Sequence, residues 1–200
     1  MVAICANSML KKKFKSQIKL VKKVLVCVIC IVLCGLLAMA GALAYFAVKY
    51  PLSYKTEITK YSKEFGLEQE FVASLINAES GFVANRVSNA GAIGLMQIMP
   101  QTAKFVAQEL NEKNFDESML FCPQTNIRFG CFYLSYLQKK FSDKFTLLCA
   151  YNAGEGKVFS WLSAKKYSHD AKALTSCPYS QTTFYAQKVI SGQKIYAFRF

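Results

Sequence analysis

The 200-residue chain has one histidine, His169, and no acidic residue among its first 50 positions. The scarcity of histidine argues against a Ser–His–Asp or Cys–His nucleophile, which would have to recruit an imidazole from a polar stretch. It also argues against zinc, since the cysteine spacings fit no ligand pattern and only one imidazole could join them. No glycine-rich motif precedes a lysine as a phosphate cradle would require, so nucleotide chemistry has no support. Alternating apolar and polar runs long enough for a large sheet are missing, as are internal repeats.

The missing acids give the net charge of +13 its meaning. Eight lysines in residues 1–50 contribute +8, leaving +5 on the rest. Seven of the eight, Lys11, Lys12, Lys13, Lys15, Lys19, Lys22 and Lys23, precede an uncharged stretch of 25 residues, Val24–Val48, "VLVCVICIVLCGLLAMAGALAYFAV". As a helix this stretch is long enough to cross a hydrocarbon core of roughly 30 Å. The lysine asymmetry orients it with the N-terminus in the cytoplasm and residues 50–200 outside. The leading lysines therefore read as a topology signal that touches anionic headgroups, not as a nucleic-acid site.

A cleaved signal peptide is the competing reading, supported by "AMA" at 38–40 and "ALA" at 42–44. The apolar run exceeds a normal signal core and its leader is long, which favours a retained anchor. Lipidation at Cys34 is disfavoured because "IVLC" lacks a small residue just before the cysteine.

The expected organisation is a basic leader (1–23), a transmembrane anchor (24–48), a short stalk (49–56) and a mainly helical domain (57–198). Ile58, Tyr61 and Phe65 form one helical face stopped by Gly66, and Phe71, Val72, Leu75 and Ile76 form the next. Pro100 and Pro123 mark further starts, the second leading into Ile127, Cys131, Leu134 and Leu137. Helices follow over about 145–151, 156–163 and 180–198, with the polar 163–176 connection expected to be a mobile loop. Of the eight cysteines, Cys27, Cys30 and Cys34 lie in the apolar run and Cys5 ahead of it. Cys122, Cys131, Cys149 and Cys177 fall in the outer domain, where disulfides persist, and permit three pairings. Cys149 reads equally well as a buried free thiol.

Glu79 is the residue that breaks pattern. Val72, Ile76 and Glu79 stand at helical spacing, so a carboxylate ends a stripe that otherwise requires burial. Aliphatic neighbours and the carbonyls of a helix end both disfavour its charge, raising its pKa toward that of a general acid working near neutral pH. A glutamate frayed into solvent would show the same phase. Downstream, "SNAGAIGLMQIMPQTA" surrounds Gln97 with small residues, and Gln97 offers the paired donor and acceptor that hydroxyl and acetamido groups require. In "AYNAG", Tyr151 has a face for a sugar ring and a hydroxyl for a polar neighbour.

In this order, "ESGF" (79–82), "SNAGAIGLMQIMP" (88–100), "NIRFGCFYL" (126–134), "AYNAG" (150–154) and "TTFYAQKV" (182–189) resemble the motifs of the soluble lytic transglycosylase catalytic domain. The resemblance spans about 57–198 and implies a lysozyme-like fold. It implies cleavage of the β-1,4 bond between N-acetylmuramic acid and N-acetylglucosamine in peptidoglycan, with no cofactor. Glu79 matches the catalytic acid; Ser88, Gln97, Met99 and Tyr151 match positions lining the saccharide cleft or supporting the acid. Tyr133, Asn152 and Tyr185 are further substrate-side candidates, each equally readable as scaffold.

The absence of Asp and Glu from 80–108 fits the single-acid mechanism the family implies, although Glu109, Glu112, Asp116, Asp143 or Glu155 could approach in space. Members often carry Glu-Thr before the last motif's tyrosine, where this chain has Gln181 and Thr182, which puts an anchoring charge contact in doubt. Cys149 stands where alanine is more usual. A goose-type muramidase and a non-catalytic glycan-binding or assembly protein are the alternatives.

Overall fold

The computed structural model describes the backbone of residues 2–200 and the side chains of residues 15, 17 and 19–200. The readings for the side chains of Cys5, Lys11, Lys12 and Lys13 lie outside the described residues. The chain divides into two compact units, residues 1–49 and 50–200.

The first unit is a single helix, α1 (Val2–Lys49). Its Lys19–Lys49 portion is long and apolar enough to cross a membrane. The large apolar side chains along it, from Leu20 to Val48, are exposed, as lipid-facing residues would be.

The second unit is built from α2 (Lys55–Glu64), α3 (Gln69–Glu79), α4 (Pro100–Glu109), a 3-10 turn (Glu117–Phe121), α5 (Pro123–Lys140), α6 (Lys144–Ala153), α7 (Glu155–Leu162) and α8 (Ser180–Tyr196). Among the described residues there are isolated bridges, Val87 with Ile93 and Ile93 with Ile98, but no extended strand. The architecture is mainly α, as the helical periodicity requires.

At the centre lies α3, whose residues Phe71 to Ile76 are all buried. A helix enclosed on every side needs neighbours that approach closely, and α8 does so at Gly192. A Cβ there would sit 2.4 Å from Ser74 Oγ. Ser74 Oγ in turn donates to Val189 O at 2.7 Å, so the contact also satisfies a hydroxyl with no access to water. Proline at the first helical position starts α4 and α5, where a missing N–H costs nothing. Asp143 caps α6 by accepting from Thr146 N at 2.8 Å.

Three segments differ from expectation. Residues 50–54, read as part of a stalk, pack onto the domain: Tyr196 Oη donates to Pro51 O at 2.7 Å, and the Tyr50 and Tyr196 rings meet at 6.1 Å. The 3-10 turn had no periodic signal because five residues are too few to show one. The 163–176 connection is held down, with Leu174 buried and Thr175 N donating to Tyr167 O at 2.8 Å.

Candidate active site

Glu79 is the last residue of α3. Val72 and Ile76, on its face, are fully buried, so the helix cannot rotate to release it. Termination follows at once: the Ser80 hydroxyl donates to Ile76 O at 3.2 Å and accepts from Phe82 N at 3.1 Å. Gly81 and Phe82 then take positive φ, and Phe82 turns back into the core. The carboxyl is left partly buried at the helix end, not frayed into solvent.

Burial pushes the Glu79 pKa from 4.5 up to about 7, against smaller opposing pulls from Tyr185, Lys188 and Arg86. Tyr185, on α8, has a buried hydroxyl with no partner of tight geometry. The Glu79 carboxyl is the group it faces, at a looser approach that still favours the charged form. Tyr151, near the end of α6, donates to Met96 O at 2.9 Å. Burial first, and the Glu79 charge second, hold the phenols of Tyr151 and Tyr185 well above their ordinary value, so both remain donors.

From Tyr151 an aromatic row leads away. Its ring lies 5.6 Å from Tyr133, and Tyr133 stacks on Tyr136 at 6.0 Å. Beside the row runs a groove whose inner part is lined by Gln97, Met99, Tyr133, Tyr151 and Asn152. Its outer part, sharing Met99, Thr102 and Tyr133, continues to Tyr136 and Glu155. Rings and amides side by side suit a sugar, which offers apolar C–H faces between hydroxyls. A separate hollow between Tyr61, Phe115 and Arg128 lies away from these residues, and the Arg128–Glu112 ion pair occupies its polar side.

The wall containing Met96 and Gln97 is a tight turn, in which Ile93 and Ile98 exchange backbone hydrogen bonds of 3.0 Å. Gly94 has φ +81, and a Cβ there would fall 2.1 Å from Asn126 Nδ2, so no larger residue fits. Gln97 itself adopts φ 48, a conformation costing a non-glycine residue roughly 1–2 kcal/mol. Its amide offsets this by donating to Gly94 O at 2.8 Å and Arg86 O at 3.2 Å.

Asn126 completes the wall and was not picked out from the sequence. Fully buried on α5, it donates to Ile93 O at 2.9 Å and Leu120 O at 2.8 Å and accepts from Met96 N at 2.8 Å. Its signal was available: Asn126 precedes Gly130 and Leu134 on one helical stripe, a polar residue among buried ones, as Glu79 is.

Other sequence-derived candidates are placed as follows. The Ser88 hydroxyl accepts from Ala92 N at 2.9 Å, inside its own turn. Asn152 lines the groove while its Oδ1 accepts from Thr182 Oγ1 at 2.9 Å. That bond joins α6 to α8 at the position where the sequence left a charge contact in doubt. Glu112 is paired with Arg128, Asp116 and Asp143 cap helical turns, Glu109 is exposed, and Glu155 is paired with Lys140 at 2.7 Å.

Residues 56–174 match the model of the transglycosylase SLT domain. This chain belongs to the transglycosylase SLT domain family. The chain is 32% identical over 151 residues to the soluble lytic murein transglycosylase of Salmonella typhimurium, covering 74% of this chain and 23% of that protein. It is 30% identical over 165 residues to the membrane-bound lytic murein transglycosylase C of Actinobacillus pleuropneumoniae, covering 72% and 45%. The structure of an inactive mutant of the lytic transglycosylase Slt of Pseudomonas aeruginosa superposes with a TM-score of 0.68 at 28% identity, covering 77% of this chain and 25% of that one. The chain thus spans about a quarter of the length of its soluble relatives, and the shared part is the lysozyme-like SLT domain.

Proposed function

We propose that this protein is a single-pass membrane-anchored lytic transglycosylase that cleaves the β-1,4 bond between N-acetylmuramic acid and N-acetylglucosamine in peptidoglycan. The observation that carries the proposal is a partly buried carboxyl, Glu79, with a pKa of about 7, whose charge acts on Tyr151, a residue lining a groove of rings and amides. The names of the relatives agree with it. Residues 1–23 form the cytoplasmic leader, 24–48 the anchor, and the domain at 57–198 works outside the cytoplasmic membrane.

In this reading a glycan strand lies along the groove, with Tyr151 and Tyr133 against sugar faces and Gln97, Met99 and Asn152 shaping its inner part. Ser88 and Tyr185 support it, Ser88 by fixing its turn and Tyr185 by orienting the Glu79 carboxyl. Protonated Glu79 gives its proton to the glycosidic oxygen as the bond to C1 breaks. The sugar's own acetamido group helps stabilise the cation. The Glu79 carboxylate then takes the proton of the muramoyl C6 hydroxyl, whose oxygen closes on C1 as a 1,6-anhydro ring. One carboxyl serves as acid and then as base, and burial suits it to both because with a pKa near 7 neither its protonated nor its ionised form is scarce near neutral pH.

The test is mass analysis of muropeptides released from purified sacculi by the full chain in detergent. Anhydromuramoyl ends are expected. Reducing ends alone would identify a goose-type muramidase in which water attacks C1, and no release of any product would identify a glycan-binding protein.

A further inference from the structure

Cys149 and Cys177 take no part in the proposed chemistry, yet the fold brings them together. Cys149 is fully buried on α6, and Cys177, part-buried, lies just before α8 in the segment that follows α7. Cys149 belongs to the apolar core cluster and Cys177 packs against it, and the two thiols are near enough to act on each other electrostatically. The contact is not isolated. One turn earlier on α6, Thr146 Oγ1 accepts from Leu174 N at 2.8 Å, three residues before Cys177. One turn later, Asn152 Oδ1 accepts from Thr182 Oγ1 at 2.9 Å. The cysteine pair is therefore the middle of three cross-links fastening α6 to the segment that enters α8. The other two outer-domain thiols are placed differently: Cys131 is buried on α5, and Cys122 is exposed at the start of that helix.

We infer that Cys149 and Cys177 are joined by a disulfide in the working protein, stapling the helix that carries Tyr151 to the helix that carries Tyr185. The other two pairings would separate thiols that these flanking bonds hold side by side. The staple forms by exchange with a protein or small-molecule disulfide. The part-exposed Cys177 thiolate attacks a sulfur of that oxidant, releasing one thiolate and leaving a mixed disulfide. Cys149 then loses its proton and attacks Cys177 Sγ, releasing the second thiolate. Two cysteine thiols are oxidised, one disulfide is reduced to two thiols, and the two protons pass to the leaving sulfurs. Burial holds the Cys149 thiol well above its ordinary pKa, so the second step requires a brief opening of the segment. Once formed, the bond closes a loop of about 30 residues and restricts the unfolded chain.

The inference rests on the proposed placement of residues 50–200 outside the cytoplasm, so the test has two arms. In the first, the fully reduced full-length protein is equilibrated with a mixture of oxidised and reduced glutathione, free thiols are alkylated, and tryptic peptides are mapped without reductant. Peptides 145–157 and 173–188 should appear linked as the predominant form. Reduction should lower the melting temperature of the wild type by several degrees and leave that of Cys149→Ala or Cys177→Ser unmoved. Both peptides recovered as free alkylated thiols, or peptide 173–188 linked to the peptide containing Cys122, would overturn the pairing. In the second arm the same map is made from cells whose thiols are blocked at lysis. A link formed with glutathione but missing in cells would refute the disulfide in the working protein and count against the outer placement, leaving the pairing intact.

Discussion

Replacing Glu79 with Gln should abolish activity and, in the same protein, make the domain more stable at alkaline pH. Gln has the shape of the protonated acid but cannot ionise. In the wild type the folded protein holds the Glu79 proton up to about pH 7, whereas the unfolded chain releases it near 4.5. Stability from this group is therefore complete below pH 4.5, falls as pH rises to 7, and stays low above it. At about 1.36 kcal/mol per unit, the difference between those values corresponds to a cost of about 3 kcal/mol at pH 9. Glu68 and Asp170, whose pKa values are lowered by their hydrogen bonds, pull the other way over the acid range, but equally in both proteins. Their effect cancels in the comparison. Denaturant unfolding of the full chain in detergent at pH 4 and pH 9 measures it. The stability gained by Glu79→Gln should be about 3 kcal/mol larger at pH 9, roughly 6–12 °C in melting temperature for a domain of this size. A gain independent of pH would show that Glu79 is solvated like a free glutamate, and the acid role would fall with it.

Three more measurements probe the same site. The kcat/KM for sacculus digestion should fall about tenfold per pH unit above roughly 7, because only protonated Glu79 begins the reaction; a flat profile to pH 9 would assign the proton to another group. Tyr185→Phe removes a hydroxyl that favours the Glu79 carboxylate, so the falling limb of that profile should move to higher pH, whereas a purely structural loss would lower the rate without moving it. Asn126→Ala leaves the Met96 N–H and the Leu120 carbonyl buried without their partners, while the Ile93 carbonyl keeps its bond from Ile98 N. At about 1–3 kcal/mol for each unsatisfied group, urea unfolding should register a loss of roughly 4 kcal/mol, and a loss below about 1 kcal/mol would mean that the wall does not depend on Asn126.

What one sequence can express is direction along a helix. The run 24–48 was legible as an apolar helix long enough to cross a membrane, and the helices of the domain were legible because their apolar faces repeat at the right interval. Glu79 was legible for the same reason, as a charge on a stripe requiring burial, and the aromatic and amide residues of the groove followed from motif order. Periodicity says that a side chain faces inward but is silent about what it meets there. The pKa of Glu79 is set by its enclosure and by Tyr185 and Lys188, more than 100 residues further along the chain. Asn126 holds a turn 30 residues before it, and Cys149 reaches Cys177 only because α6 and the segment before α8 pack side by side. The packing of residues 50–54 on Tyr196 belongs to the same class. Local pattern determined the elements and the residue types of the site. Its proton, its rigid wall and its neighbours were decided by contacts between distant segments, because burial and hydrogen bonding depend on which surfaces meet, and that is fixed only when the helices pack.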